Sequence, residues 1–255
     1  RGGSRSLLLR TRPARPTAMS WPSSGAVFMV RAGLAGHAAL CLAALRWALV
    51  ASASSFVLVF ALFQKRILPK TLARKVARWA FWPTLPFTYA RLMLVPPRSG
   101  LWTVVDETVL VGAAPLALLR HPCALRRLNV TGIINLCEEY DGPTDAYAKL
   151  EMTQLRLPTL DHVEPSLEAL GEAVDFIARH RERGERVYVH CKAGHGRSAA
   201  VAFAWLLHAN RHDAPYALYE QLAAKRRVRS NLWRQPNILK FHEARRPPLP
   251  PAKNR

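Results

Sequence analysis

Hydrophobic and polar positions divide the chain into two unlike parts. Trp47–Phe63 (WALVASASSFVLVFALF) is 17 residues without a charge, bracketed by Arg46 and by Lys65-Arg66. It shows no polar stripe at helical period, and at about 1.5 Å per residue it would reach roughly 25 Å, enough for a bilayer core. The apolar run extends back to Ala32 with Arg46 inside it, where that side chain would have to snorkel to an interface. Residues 32–64 are therefore expected to hold a transmembrane helix, best placed at 47–63.

From about residue 101 the pattern becomes an alternation of strand and helix signals. Thr108–Val111, Thr131–Cys137 and Arg186–His190 are short, β-branched apolar runs that predict buried strands, and Gln154–Leu157 is a weaker one. Between them, Leu116–Arg127 predicts a helix. Ser166 can cap another through Arg183, with Leu167, Leu170, Val174 and Ile177 at helical spacing and Gly184 as its stop. Ala199–Ala209 and the stretches 214–227 and 236–245 predict three more. The expectation is an α/β domain over 101–246, a central, mostly parallel sheet flanked by helices, with ligands bound where strand ends meet helix starts.

Charge sharpens the division. The net charge is +20, yet residues 1–105 hold 15 Lys/Arg and no acid, whereas the remaining 22 face all 17 Asp/Glu. Residues 1–31 have the acid-free, Arg-rich composition of an organelle transit peptide or of a disordered basic tail. Residues 65–100 mix Lys65, Arg66, Lys70, Arg74, Lys75 and Arg78 with Trp79, Phe81, Trp82, Phe87 and Tyr89, and end on Pro96-Pro97. Beside a hydrophobic span this composition predicts a linker lying on an anionic lipid surface, in preference to a nucleic-acid site. Residues 247–255 form a Pro-rich basic tail. The four cysteines include no CxxC pair, which excludes zinc ribbons and thioredoxin-type redox motifs.

The chemistry concentrates in His190-Cys191-Lys192-Ala193-Gly194-His195-Gly196-Arg197-Ser198, between the strand RVYVH and the helix SAAVAFAWLL. A cysteine at the start of such a loop sits near a helix N-terminus, which favours its thiolate. Gly194 and Gly196 let the backbone curl so that its N–H groups form an anion nest. Arg197 can close the loop on two oxygens of a phosphate, and Ser198 can donate to the sulfur. Lys192 and His195 are expected to add positive charge at the rim, suiting a substrate with a second anionic group. The arrangement is a cup for a tetrahedral dianion over a nucleophile.

This loop resembles that of the cysteine-dependent phosphatases with the Cys-x5-Arg signature, of the dual-specificity type. The resemblance implies the cysteine-phosphatase fold, a phosphocysteine intermediate, no metal or other cofactor, and an Asp general acid some thirty residues upstream. Asp161 in LPTLDHVEPS occupies that place, with Asp141 and Glu164 as competitors. A narrower resemblance, to the mitochondrial phosphatases that act on phosphatidylglycerophosphate, covers most of residues 79–246. It is carried by Cys137-Glu138-Glu139-Tyr140-Asp141, by HCKAG followed by Arg197-Ser198, by QLRLPTLD, by the plant-like stretch Ala77–Arg91, and by Gln235 before Ile238-Leu239-Lys240. It implies supporting roles for His190, Glu138, Glu139, Tyr140 and Gln235, an anionic phospholipid substrate, and a mitochondrial inner membrane or plastid location.

Three functions compete. The first is a membrane-anchored lipid phosphatase, and the second a phosphatase of phosphotyrosine and phosphoserine/threonine proteins. The third is an idle phosphate-binding adaptor, which would have no need of Cys191, Asp161 and Ser198 together. A rhodanese-like sulfurtransferase would also use a loop cysteine, but not Ser198 or Asp161.

Overall fold

A computed structural model of the chain describes residues 24–65, 67–95 and 100–245. The transit-peptide composition lies mostly outside these residues, and the basic tail at 247–255 lies wholly outside them. The chain divides into two units, Arg1–Val59 and Phe60–Arg255.

Helix α1 (Ser24–Gln64) is the described element of the first unit and continues a few residues into the second. Its Leu40–Phe63 segment is long and apolar enough to cross a membrane, and Leu40–Val59 are exposed. The window is longer than the expected 47–63 because Arg46 interrupts the apolar run without ending the helix.

The second unit is a five-stranded sheet in the order β1 (Trp102–Val104), β2 (Val109–Gly112), β5 (Arg186–His190), β3 (Val130–Cys137), β4 (Thr153–Thr159). Only the edge pair β1–β2 is antiparallel; the others are parallel. Crossovers run through α3 (His121–Arg127), α4 (Thr144–Lys149) and α5 (Leu167–Glu182), followed by α6 (Arg197–Ala209), α7 (Pro215–Lys225) and α8 (Pro236–Ala244). Period-two alternation explains the two faces. Val109, Val111, Ile134, Leu136, Val187 and Val189 pack with α5, α6 and α8. Leu110, Ile133 and Tyr188 point to the other side, with Leu125 and Tyr147. Ser166 caps α5 as predicted, its hydroxyl accepting the Ala169 amide at 3.2 Å.

The predicted linker is a correction. Residues 70–94 form one continuous helix, α2 (Lys70–Leu94), with Pro83 and Pro86 inside it. The carbonyls that the two prolines cannot pair belong to Trp79 and Trp82, both on the exposed side of the helix. On the other side Ala73, Ala77, Ala80, Phe81, Leu85 and Leu92 are buried, and Phe81 and Leu85 join the main core. The second unit thus begins before residue 101, and α2 is a part of it. Strand β1 and helix α4 were not expected either; each is short, and β1 carries too little alternation to register.

Candidate active site

The loop after β5 opens α6, whose first residue is Arg197 and which has no side-chain N-cap. The first amides of α6 are therefore open to an anion. Cys191 Sγ, at the base of the loop, accepts hydrogen bonds from the Gly194 amide and the Ser198 hydroxyl, each at 3.3 Å. Burial alone would raise the thiol's pKa, but the Arg197 charge and the Ser198 hydroxyl and amide outweigh it, and the net shift is downward.

Gly194 has φ +76°, and a Cβ there would lie 2.5 Å from Arg226 Nη2 and 2.7 Å from the Gly112 carbonyl group. Only glycine fits. The close neighbour, Arg226, is a residue that sequence reasoning missed. It is buried, and it donates through Nε to Gly194 O (2.9 Å), through Nη2 to Ala193 O (2.8 Å) and through Nη1 to Thr103 Oγ1 (3.2 Å). By drawing the loop carbonyls outward, Arg226 leaves the Gly194 amide facing the sulfur. Arg229, also missed, ties the loop to the segment after β4: its amide donates to His195 O at 3.1 Å and its Nη1 to His162 O at 3.2 Å. Neither contact has a local sequence signature, because each joins segments more than thirty residues apart.

Arg197 is buried, and both of its Nη atoms are engaged. Its Nη1 and Nη2 donate to the two oxygens of Glu139 at 2.8 and 2.7 Å, Nη1 also to Thr159 O at 2.9 Å. Nη2 lies 3.0 Å from Asp161 Oδ1. Burial opposes the guanidinium's charge, yet Asp161, Cys137 and Glu139 hold its pKa well above the ordinary value. Its Nε is buried without a hydrogen-bond partner among the described residues, a donor left for an oxygen that enters the cup. Burial raises the pKa of Asp161, but the Arg197 guanidinium, His162 and the His162 amide prevail, and the carboxyl is shifted down.

The other predicted residues sort by position. Glu139 orients Arg197, whereas its neighbour Glu138 pairs with Arg74 of α2 at 2.7 Å. Tyr140 stacks on Phe81 at 4.9 Å and donates to Pro115 O at 2.6 Å, so residues 138–140 tie the site to α2. The competitor Asp141 pairs instead with Arg156, and Glu164 accepts the Asn237 amide at 3.3 Å.

His190 is buried against Tyr188, not in the cup; burial, with a smaller push from Arg197, holds its pKa down at about 3. Gln235 lies buried at the start of α8 and does not line the cavity.

Of the two expected rim charges, His195 is a correction and Lys192 is turned toward α2. Burial first, then Arg226, Arg227 and Arg91, lower the His195 pKa to about 4, so this ring is neutral at pH 7. Lys192 turns to α2, bonding Thr84 Oγ1 and, at 3.4 Å, Ala80 O, with its ammonium 5.4 Å from the Phe81 ring centre.

Cys191, Lys192, Ala193, His195, Gly196, Arg197 and Asp161 share one cavity of about 630 Å³. Its opposite wall is α2, through Thr84, Phe87, Thr88 and Arg91. A cysteine sulfur whose pKa is held down, an amide and guanidinium cradle and a carboxyl group within one cavity are the parts needed for phosphoryl transfer through sulfur. This fold and site define a cysteine-dependent phosphatase.

The comparisons with known proteins agree. The family model described as "Dual specificity phosphatase, catalytic domain" matches residues 111–241. The chain belongs to the dual specificity phosphatase family. It is 37% identical over 133 residues to the Arabidopsis thaliana phosphatidylglycerophosphate phosphatase PTPMT2, covering 51% of this chain and 57% of that protein. It is 34% identical over 179 residues to the Mus musculus phosphatidylglycerophosphatase and protein-tyrosine phosphatase 1, covering 66% of this chain and 90% of the relative. The crystal structure of PTPMT1 superposes with a TM-score of 0.50 at 31% identity, over 56% of this chain and 94% of that one. That of Tk-PTP in its active form gives 0.50 at 27% identity, over 57% and 97%.

Proposed function

We propose that this chain hydrolyses phosphatidylglycerophosphate to phosphatidylglycerol and inorganic phosphate, with Cys191 as nucleophile. The Cys191 thiolate attacks phosphorus; the S–P bond forms as the P–O bond breaks, and the leaving alkoxide takes the proton of Asp161. Water then attacks the phosphocysteine, Asp161 accepts its proton, and the thiolate departs with the Ser198 hydroxyl donating to it. Arg197 and the loop amides hold the phosphoryl oxygens throughout. In the free site Asp161 is paired with Arg197. A bound phosphate dianion engages that guanidinium and sets negative charge beside the carboxyl, which raises the pKa of Asp161 and loads the acid.

The observation that carries the chemistry is the set of contacts at one point: Gly194 N–H and Ser198 O–H on the sulfur, and Arg197 between Glu139 and Asp161. The lipid substrate is supported by the names of the two relatives and by the apolar Leu40–Phe63 segment, which would anchor the chain at the membrane holding its substrate. A mitochondrial inner membrane, with a plastid membrane as alternative, suits such an activity. The test compares phosphate release by the full chain from phosphatidylglycerophosphate vesicles and from phosphotyrosine peptides. Faster turnover of the lipid, by tenfold or more in kcat/KM, supports the proposal. Preference for the peptides would assign the chain to protein dephosphorylation instead.

A further inference from the structure

The cavity is far larger than one phosphoryl group requires: about 630 Å³ is the volume of about 20 waters of the liquid. Its cations are unequally committed. Arg197 serves the reacting phosphate, Lys192 is taken up by Thr84 and Ala80, and Arg229 donates to His162 O. His195 is neutral at pH 7. Arg91 is different. It lies in the last turn of α2, seven residues beyond Thr84 and so roughly 10 Å further along the helix axis, on the wall that Thr84, Phe87 and Thr88 also form. It is exposed, and among the described residues its guanidinium makes no hydrogen bond or ion pair. Asp161 is the only carboxylate among the residues lining this cavity, and it faces Arg197.

We propose that Arg91 is a specificity-determining residue: it binds a second anionic group of the substrate, separate from the phosphate held over Cys191. The inference deepens the lipid-phosphatase reading and rests on it. A guanidinium at the mouth offers two parallel donors to a phosphodiester, and a substrate carrying only the scissile phosphate gains nothing from it. The exposed Phe87 beside it offers apolar surface where the glycerol and acyl part of such a substrate would leave the cavity. Selection for two-anion substrates therefore comes from α2, an element outside the segment that matches the family model.

The test uses soluble probes, so that membrane binding does not enter. In the full chain in detergent, Arg91→Gln is expected to raise KM for dihexanoyl phosphatidylglycerophosphate, kept below its micelle concentration, by about 10- to 100-fold. Its kcat/KM on p-nitrophenyl phosphate should stay within about twofold, and Arg91→Lys should restore part of the lipid affinity. Equal losses on both substrates, or no loss on either, would overturn the role of Arg91. A second arm measures the Kd of the same lipid by calorimetry in a Cys191→Ser background, with and without Arg91→Gln. An unchanged Kd there overturns the inference even if turnover fails. A wild-type chain inactive on p-nitrophenyl phosphate overturns the phosphatase reading itself.

Discussion

The contact between Arg226 and the back of the cysteine loop makes a prediction that separates geometry from charge. Arg226→Lys keeps a cation there but loses the planar fork that reaches Gly194 O at 2.9 Å and Ala193 O at 2.8 Å together. Arg226→Met removes the charge as well. Two buried carbonyls losing a charged donor cost about 1–3 kcal/mol each; in Arg226→Met relief from burying a cation offsets part of it, and in Arg226→Lys the ammonium can still reach one carbonyl. The net loss of stability should be about 2–4 kcal/mol in either variant, measured by denaturant unfolding. The functional effect has a different origin. With its carbonyls released, the loop can rotate the Gly194 amide away from Cys191 Sγ, and a misplacement of about 1 Å in such a cradle costs about 100-fold in rate. Both variants should lose about 100-fold in kcat/KM on p-nitrophenyl phosphate. Arg226→Met should raise the thiol pKa more than Arg226→Lys does, read from the pH dependence of Cys191 alkylation by iodoacetamide, because it removes positive charge as well. If Arg226→Lys loses stability while keeping full kcat/KM, the clamp is a packing feature with no part in shaping the cradle, and the reasoning is refuted.

Other perturbations follow from the same contacts. Glu139→Gln removes the charge that holds the buried Arg197, and should cost about 3 kcal/mol of stability and about 100-fold in turnover; an unaltered midpoint and rate would show that Thr159 O and Asp161 suffice. Asp161→Asn should slow alkyl phosphates by about 100- to 1,000-fold and p-nitrophenyl phosphate much less, since the aryl group leaves without a proton; equal slowing would place the acid elsewhere. The depressed pKa values of His190, about 3, and His195, about 4, mean that the unfolded chain binds protons that the folded chain does not between these values and about 6.5. Stability should therefore fall as pH drops from 6.5 toward 4, by up to about 1.4 kcal/mol per pH unit for each ring; a denaturation midpoint flat between pH 7 and 5 would contradict their neutrality.

What the sequence made legible is what lies close together along the chain. Cys191, Gly194, Arg197 and Ser198 fall within eight residues between a strand and a helix that both declare themselves by apolar runs, so local backbone geometry alone nearly builds the cup. Asp161 required a resemblance to single it out, and the fold brings it 3.0 Å from Arg197. Glu139 was visible only as part of an acidic-tyrosine string; that it, and not Glu138, takes the arginine follows from which side chain points inward after β3. The supports of the loop, Arg226 and Arg229, had no signal, because a basic residue in a basic stretch looks the same whether it is solvated or buried.

Helix α2 was misread for a physical reason. Two prolines argue against a helix, but they cost little where the unpaired carbonyls lie on the exposed side, and burial of Phe81 and Leu85 in the core supplies the compensation. The same helix then takes the Lys192 ammonium through Thr84, which no reading of the loop by itself could foresee.

The account depends on Cys191 carrying the phosphoryl group. The most direct measurement is rapid-quench mass spectrometry of the full chain turning over p-nitrophenyl phosphate. Asp161→Asn serves as the second sample, because breakdown of the intermediate needs the carboxylate. The account predicts a peptide containing Cys191 heavier by one phosphoryl group, formed within the first turnover, accumulating in Asp161→Asn and absent in Cys191→Ser. Burst release of p-nitrophenol with Cys191 unmodified, or turnover persisting in Cys191→Ser, would contradict it.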